Sequence, residues 1–447
     1  MEGEAKPSGR MRSTIGRLTG NRGIRSRILA PFTFDALIIA TNLVTGVIVA
    51  RALGPDGRGE IAAILVLVFT ATWLFSLGST EAIGFRQSRS PEDAPELIGL
   101  WLAVAVAMSA VAILIAELVL PTLFSAQSSE AIALARIYVP VILFSLIVTV
   151  FNGVLLGDQD FFAYNVFRTI GPAIIAVGYA GCLITDSFSV ETALIANAAG
   201  FFVASIAMMV RSLRRHGIAS PRRALVKSSL WYGIRAHGGS IAGFVNARLD
   251  LLVLPAFLAA ASIGQYSVAT NVTSLIGTLT GTIAIFAMPV AARLESASAR
   301  VVVRTLYATL GIGVAIAIFL AIVAGFAVPL IYGSEFEEAV TPMRIMLPGE
   351  VLDAASVVLW AGLLAANRPF LSTIAAGPGA ILTIVGLILF LDSGGIIAAA
   401  FVTLTAHTVV FVISALLYRH TVGLRWRDFL PPGPPAKDEA SGPPAQA

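Results

Sequence analysis

The sequence predicts an all-α polytopic membrane protein, with twelve transmembrane helices in two six-helix bundles related by a pseudo-twofold axis along the membrane normal. Three observations carry that expectation. Hydrophobic residues make up 57% of the 447-residue chain and charged residues 13%, and mean hydropathy is +0.86, a balance outside the range of soluble domains. Apolar runs of about 20 residues, the length that crosses a bilayer, recur along nearly the whole chain. One stretch also occurs twice. Leu120–Pro140 and Val328–Pro348, offset by 208, agree at six of 21 positions: Pro121/Pro329, Glu130/Glu338, Ala131/Ala339, Arg136/Arg344, Ile137/Ile345 and Pro140/Pro348. Leu155-Leu156 and Leu363-Leu364 keep that offset, and Gly59-Glu60 and Gly264-Gln265 follow at 205. Six crossings per half is an even number, so both halves keep one orientation and the axis between them runs along the membrane normal.

The spans fall at 29–50, 60–78, 97–120, 131–156, 161–184, 191–212, 238–258, 264–290, 305–331, 339–365, 369–391 and 395–418. They divide the chain into a basic tail 1–28, a bundle 29–212, a basic linker 213–237, a second bundle 238–418 and a disordered tail 419–447. No cleavable signal peptide is evident ahead of the first span. Of 30 Lys and Arg, 24 lie on the two tails and on connections that share their side. Arg51 and Arg58 lie on the opposite side, and Arg136, Arg168, Arg248 and Arg344 lie inside spans. The positive-inside rule then puts both termini in the cytoplasm. The basic flanks suit anionic lipid headgroups, not nucleic acid. The lone cysteine, Cys182, leaves no disulfide framework and no cysteine cluster for a metal.

In chain order, the first span carries Asp35 and Asn42, seven apart and so on one face. Asp35 is either a cavity carboxylate or a short cap near the cytoplasmic end; intramembrane carboxylates are expensive. The outer loop after it holds Gly54, Pro55, Gly57 and Gly59, which force a tight turn. Glu81 ends span 2, and span 3 is almost wholly apolar. In span 4 Arg136 stacks on Pro140, as Arg344 stacks on Pro348 in span 10. Two readings fit these arginines: snorkelling to outer headgroups, or facing a shared central cleft. Span 5 places Asn165, Arg168 and Pro172 on one side. Span 6 is rich in small residues (Ala193, Ala196, Ala199, Gly200), which suits close packing. In the linker, Val226, Leu230 and Ile234 recur every four residues, as in an interfacial amphipathic helix. Span 7 is the most polar: Asn246 and Asp250 share a face and Arg248 points elsewhere. Span 10 continues through Pro348-Gly349 to Glu350 and Asp353, which reads as a kinked, water-facing helix. Gly377-Pro-Gly379 reads as a further break in span 11. His407 in span 12 is either a packed core residue or a proton-sensing group.

Three segments also carry a resemblance. VARALGPDGRGEIAAI (49–64), the polar run 232–254 with its Arg-x-Asp continued by IGQYSVATNVTSLIGTLTGTIAIFAMPVAAR (263–293), and YGSEFEEAVTPMRIMLPGEV (332–351) resemble bacterial Wzx-type lipid-linked oligosaccharide flippases. That family of polysaccharide exporters belongs to the superfamily that also holds multidrug antiporters of the MATE type and lipid II flippases. The resemblance covers about residues 30–420. It implies a non-enzymatic transporter of the bacterial inner membrane that moves an undecaprenyl-pyrophosphate-linked glycan from inner to outer leaflet by alternating access. It would work beside polysaccharide polymerase machinery, for cell-surface polysaccharide such as lipopolysaccharide.

No nucleophile elbow, zinc-protease motif or phosphate-binding loop is present, and no motif calls for a cofactor or a metal. Expected substrate contacts are Arg168, Arg248, Arg136 and Arg344 with Asn42, Asn165 and Asn246. Expected ion-coupling carboxylates are Asp35, Asp250, Glu350 and Asp353. Two alternatives stay open: a MATE-like drug/cation antiporter, in which the inward carboxylates dominate, and a membrane glycan polymerase, for which the outer loops are short.

Overall fold

The structure, a computed structural model, describes residues 21–238, 248–280, 298–366, 368 and 370–425. Among them there is no strand. The first element, α1 (Asn21–Phe75), holds predicted spans 1 and 2, turned at Gly54. That residue has φ 64° and ψ −168°, a conformation essentially restricted to glycine. The last element, α12 (Phe370–Val422), is the same device at the other end of the chain, turned at Gly395 with φ 53°.

Eight helices among the described residues are long and apolar enough to cross a membrane. Two of them, Thr33–Phe75 and Phe370–Val422, run 43 and 53 residues, about twice what one crossing needs. Each therefore accounts for two predicted spans, one per arm. Predicted spans 7 and 8 both run into residues outside the described set.

Between these ends lie α2 (Ser79–Gln87), α3 (Ala94–Leu123), α4 (Ser129–Tyr138), α5 (Val141–Gly157), α6 (Phe161–Ile184), α7 (Val190–His216), α8 (Arg223–Gly238), α9 (Ala260–Thr273), α10 (Ser298–Tyr332) and α11 (Val340–Ala365). Proline acts differently in the two copies of the repeat. Pro140 separates α4 from α5, whereas Pro348 lies inside an unbroken α11. The break expected at Gly377-Pro-Gly379 is absent, because α12 runs through Pro378. Proline removes one backbone donor, and a membrane helix tolerates that where neighbouring groups re-satisfy the backbone.

The chain forms two compact units. One comprises the chain up to Val49 with Phe75–Leu114 and Tyr138–Ile234. In it α5 packs on α2 and α7, and α6 packs on α7. The small residues Ala193, Ala196 and Gly200 of α7 are buried. The other comprises Ala50–Leu74, Ile115–Ile137 and Arg235 onward, so it draws on both sequence halves. Its core gathers Val302 and Leu306 of α10, Ala355, Val358 and Leu359 of α11, and Tyr418 of α12. Apolar side chains point outward in number, such as Leu114 and Leu118 of α3 and Phe319, Ile322 and Phe326 of α10. A surface like that is stable against lipid and not against water.

The linker helix α8 is docked onto its own unit. Leu225, Ser229 and Gly233 face inward. Trp101 Nε1 donates to Ser229 Oγ at 3.0 Å, both side chains buried, and Tyr232 stacks on Phe85 with ring centroids 4.4 Å apart. Arg222 bridges Glu96 at 2.9 Å and also pairs with Asp93, which takes Arg86 at 3.3 Å. Nearby, Asp158 meets Arg215 at 3.4 Å and His216 at 2.9 Å, and Asp160 meets Arg211 at 2.7 Å. Several of the basic flank residues thus engage acids of the same chain.

Replacing Trp101 by Phe removes the donor to Ser229 and also part of the buried ring volume. A buried group that loses its partner costs about 1–3 kcal/mol. The Trp101→Phe protein should melt lower in detergent, and trypsin should cut sooner at Arg222 and Arg223. An unchanged cleavage pattern would mean that α8 is held by its other contacts alone.

Candidate functional site

Among the described residues, two gatherings of polar side chains inside the apolar spans include charged residues that the sequence singled out. The first lies where α1 and α6 meet. Asp35 Oδ1 stands 3.2 Å from Arg168 Nη2, with the side chains 49% and 33% exposed. Arg168 Nη1 also donates to Asn165 Oδ1 at 3.5 Å, and its guanidinium lies over the Tyr164 ring, 5.1 Å from the centroid. Asn165 is buried, and its amide donates to the Phe161 carbonyl one turn back at 2.7 Å. The helix starts correctly for this because Asp160 caps it, accepting from Ala163 N at 3.1 Å. The structure therefore brings together three residues the sequence singled out, Asp35, Asn165 and Arg168. An ion pair this exposed contributes on the order of 0.2–1 kcal/mol in water, so a better anionic partner could displace Asp35 from Arg168.

The second place is the interior of the other unit. Asp250 is only 6% exposed. Its Oδ2 accepts from Tyr266 Oη at 2.7 Å and from Thr403 Oγ1 at 3.5 Å, and its Oδ1 accepts from Leu251 N at 2.8 Å. Tyr266 on α9 is fully buried, and its hydroxyl also lies 3.1 Å from Thr403 Oγ1 of α12. Glu350 and Asp353 of α11, together with Asp250, lie within electrostatic range of the buried His407, and Arg248 is within range of Glu350. The cluster is thus acidic around one imidazole and one guanidinium. Asp250 and Asp35 sit on corresponding helices but not at corresponding levels. At the offset of 205, position 250 matches Thr45, ten residues or about 15 Å beyond Asp35.

The remaining expected residues fall elsewhere. Arg136 reaches back onto α3, Nε to Glu117 Oε2 at 3.5 Å, with side chains 54% and 36% exposed. Arg344 reaches back onto α10, Nε donating to the Ala321 carbonyl at 3.0 Å. The repeat partner of Glu117 is Gly325, and a Cβ there would stand 3.4 Å from Arg344 Nη2. Both copies therefore send the arginine to the same register of the preceding helix, and only the first meets a carboxylate. Asn42 is exposed, and Asn246 lies outside the described residues.

Sequence reasoning missed Tyr266 and Thr403, since a hydroxyl in an apolar run carries no signature until its partner is placed. It also read Arg51 and Arg58 only as loop charges. Arg51 Nε donates to the Ile331 carbonyl at 2.8 Å, and Arg58 Nε donates to Ser267 Oγ at 3.2 Å.

Comparison with known proteins adds to this geometry. The profile of a family described as "Polysaccharide biosynthesis protein" matches residues 48–341. No curated protein matches the chain by sequence. Among solved structures, "Lipid II flippase MurJ, inward closed conformation" is similar with TM-score 0.75 at 15% identity, covering 90% of this chain and 89% of that one. An inward-facing multidrug resistance MATE family transporter of the MOP superfamily is similar with TM-score 0.70 at 16% identity, covering 86% and 95%. A MOP superfamily transporter from Pyrococcus furiosus is similar with TM-score 0.54 at 15% identity, covering 88% and 94%. At such identities the likeness speaks for the fold. It is the expected one, an all-α polytopic membrane protein with twelve helices in two bundles.

The Asp250 cluster makes a direct prediction. Tyr266→Phe removes the 2.7 Å donor from a buried carboxylate and should destabilise the protein by about 1–3 kcal/mol. In an Asp250→Ala background the same change should have a much smaller effect. Melting of the four purified proteins of this cycle measures the coupling, and simple additivity would show that Tyr266 does not hold Asp250.

Proposed function

The chain belongs to the polysaccharide biosynthesis protein family, and from that premise we propose that it is a flippase for a polyprenyl-pyrophosphate-linked oligosaccharide. On this reading the glycan moves from the inner to the outer leaflet of the bacterial inner membrane by alternating access. Both termini are cytoplasmic, the transport is non-enzymatic, and polysaccharide polymerase machinery receives the product. The observation that carries the substrate class is the Asp35–Arg168–Asn165 array. It is a cation held inside an apolar span by a partly exposed and therefore exchangeable carboxylate, with an amide beside it.

The physical problem is a pyrophosphate and a sugar chain that cannot enter hydrocarbon bare, since burying an isolated charge costs tens of kcal/mol in the idealised limit. Arg168, with Arg248 from the second half, supplies charge-assisted donors that replace lost hydration. Asn165, Asn42 and Asn246 offer amides to hydroxyls. Arg136 and Arg344, held against α3 and α10, serve the headgroup nearer one end of its path. The polyprenyl tail stays in lipid throughout. Coupling falls to Asp35 and to the acidic cluster of Asp250, Glu350 and Asp353. When an anionic headgroup takes Arg168, Asp35 loses its cation and is free to bind the coupling ion.

A second reading rests on the Asp250 cluster alone. Three carboxylates around His407 suit a cation as cargo, as a drug/cation antiporter would require. Vesicle transport separates the two. With a fluorescent lipid-linked oligosaccharide, the fraction reached by an impermeant glycosidase reports flipping. Arg168→Ala and Arg248→Ala should slow it by roughly ten- to a hundredfold, the equivalent of one lost charged hydrogen bond, at equal insertion. Asp35→Asn and Asp250→Asn should remove any response to an imposed pH or sodium gradient. Normal flipping by both arginine variants, with cationic dyes moved instead, would select the antiporter.

A further inference from the structure

The two glycines that match at the repeat offset of 205 touch each other. Gly59 lies early in the second arm of α1, and Gly264 lies in the first turns of α9. A Cβ on Gly59 would stand 1.7 Å from the Ala260 carbonyl oxygen and 2.9 Å from Gly264 N, and a Cβ on Gly264 would stand 2.0 Å from the Pro55 carbonyl oxygen. Pro55 and Ala260 are themselves offset by 205. Exchanging the halves turns the first contact into the second. Such reciprocity, residue i on j and j on i, is the mark of a twofold interface. Here it is formed inside one chain and within one compact unit.

Polar contacts surround this crossing, and all but one, which lies within the second half, join the same two sequence halves. Arg51 donates to the carbonyls of Leu330 and Ile331 at the end of α10. Arg58 meets Ser267, and Gln265 Nε2 donates to the Glu335 carbonyl at 2.5 Å. Gln127 Nε2 donates to the carbonyls of Pro255 and Leu258 at 3.1 and 2.7 Å. Nearly all of these acceptors are backbone carbonyls near helix ends, so the seam is held by hydrogen bonds that water can replace, around a glycine contact that needs no side chain.

We propose that the Gly59–Gly264 crossing is a gate that closes the outer mouth of the transport path, and that the missing side chains at these two positions set how firmly it closes. This rests on the transporter reading above. The obstructing atoms are backbone, so no side chain can swing aside to admit a Cβ; the two helices must part. Alanine at either position then penalises the closed form and leaves the open form untouched, which moves the equilibrium toward opening. A poorer helix is not the cause, because alanine is the better helix former.

The test uses cysteine accessibility on the full chain in right-side-out vesicles, in a Cys182→Ser background. The reporter is Ser267→Cys, buried at the seam beside Arg58. A second reporter, Ser356→Cys, is buried in α11 away from the seam. An impermeant maleimide added outside should label the seam reporter slowly. Gly59→Ala or Gly264→Ala should raise that rate by roughly tenfold or more, as when a state populated at a few per cent becomes dominant. The α11 reporter should not respond. Unchanged seam labelling in both alanine variants overturns the proposal, and so does a parallel rise at both reporters, which would mean general loosening. Labelling only from the inside overturns the assignment to the outer mouth. No substrate enters this measurement. If the seam opens as expected while no lipid-linked glycan moves, the gate stands and the substrate reading falls.

Discussion

Hydrocarbon offers no hydrogen bonds to a polypeptide, and most of this structure follows from that. Every backbone N–H and C=O inside the membrane must find its partner within the chain, which is why the described residues hold helices and no strand. The same constraint dictates how the chain may turn. Spans 1 and 2 are broken at Gly54 and spans 11 and 12 at Gly395, each at a single residue in a conformation side chains resist. Where hydroxyls occur in spans, most bond back to their own helix, as Thr169 does to Asn165 and Thr405 to Phe401. They leave few polar groups to be satisfied between helices, and those few stand out.

Against this background the two polar gatherings differ in kind. Arg168 and Asp35 are charged, partly exposed and held by one long contact, so little energy separates their pairing from another. Asp250 is buried and satisfied by the hydroxyls of two other helices and its own backbone, so it is expensive to disturb. The halves have thus diverged in chemistry more than in frame. The same contrast appears at Arg136 and Arg344, where one register of the preceding helix carries a glutamate in the first copy and a glycine in the second.

Much of the frame was readable from the chain because bilayer thickness, proline and glycine act locally. Spans, the turn at Gly54 and the shared face of Asn165 and Arg168 all depend on spacing along one helix. The linker is helical, but it turns Leu225, Ser229 and Gly233 inward in place of the expected stripe of Val226, Leu230 and Ile234, and Ile234 is exposed. What was not readable depends on approach between helices. Nothing near Pro378 announces that α12 runs on, since the packing that buries Ala375, Ala376 and Gly379 beside it is tertiary. Tyr266 and Thr403 look like ordinary apolar-run hydroxyls until Asp250 is placed between them. The basic linker looked like a surface for lipid headgroups alone, yet Arg222, Arg215 and Arg211 meet acids that lie 50 or more residues away in sequence. The repeat marked Gly59 and Gly264 as equivalent but could not reveal that equivalents touch.

The single-residue turns bear on how such a chain is made. A hairpin whose arms meet at one glycine has almost no loop to push through the membrane during synthesis. The Gly395 turn takes only Asp392 and Ser393 with it. The arms of the Gly395 turn, which pack Gly386 against Val402, can therefore enter the bilayer as a preformed hairpin. That segment then asks little translocation work of the insertion machinery, because no polar loop separates its two crossings.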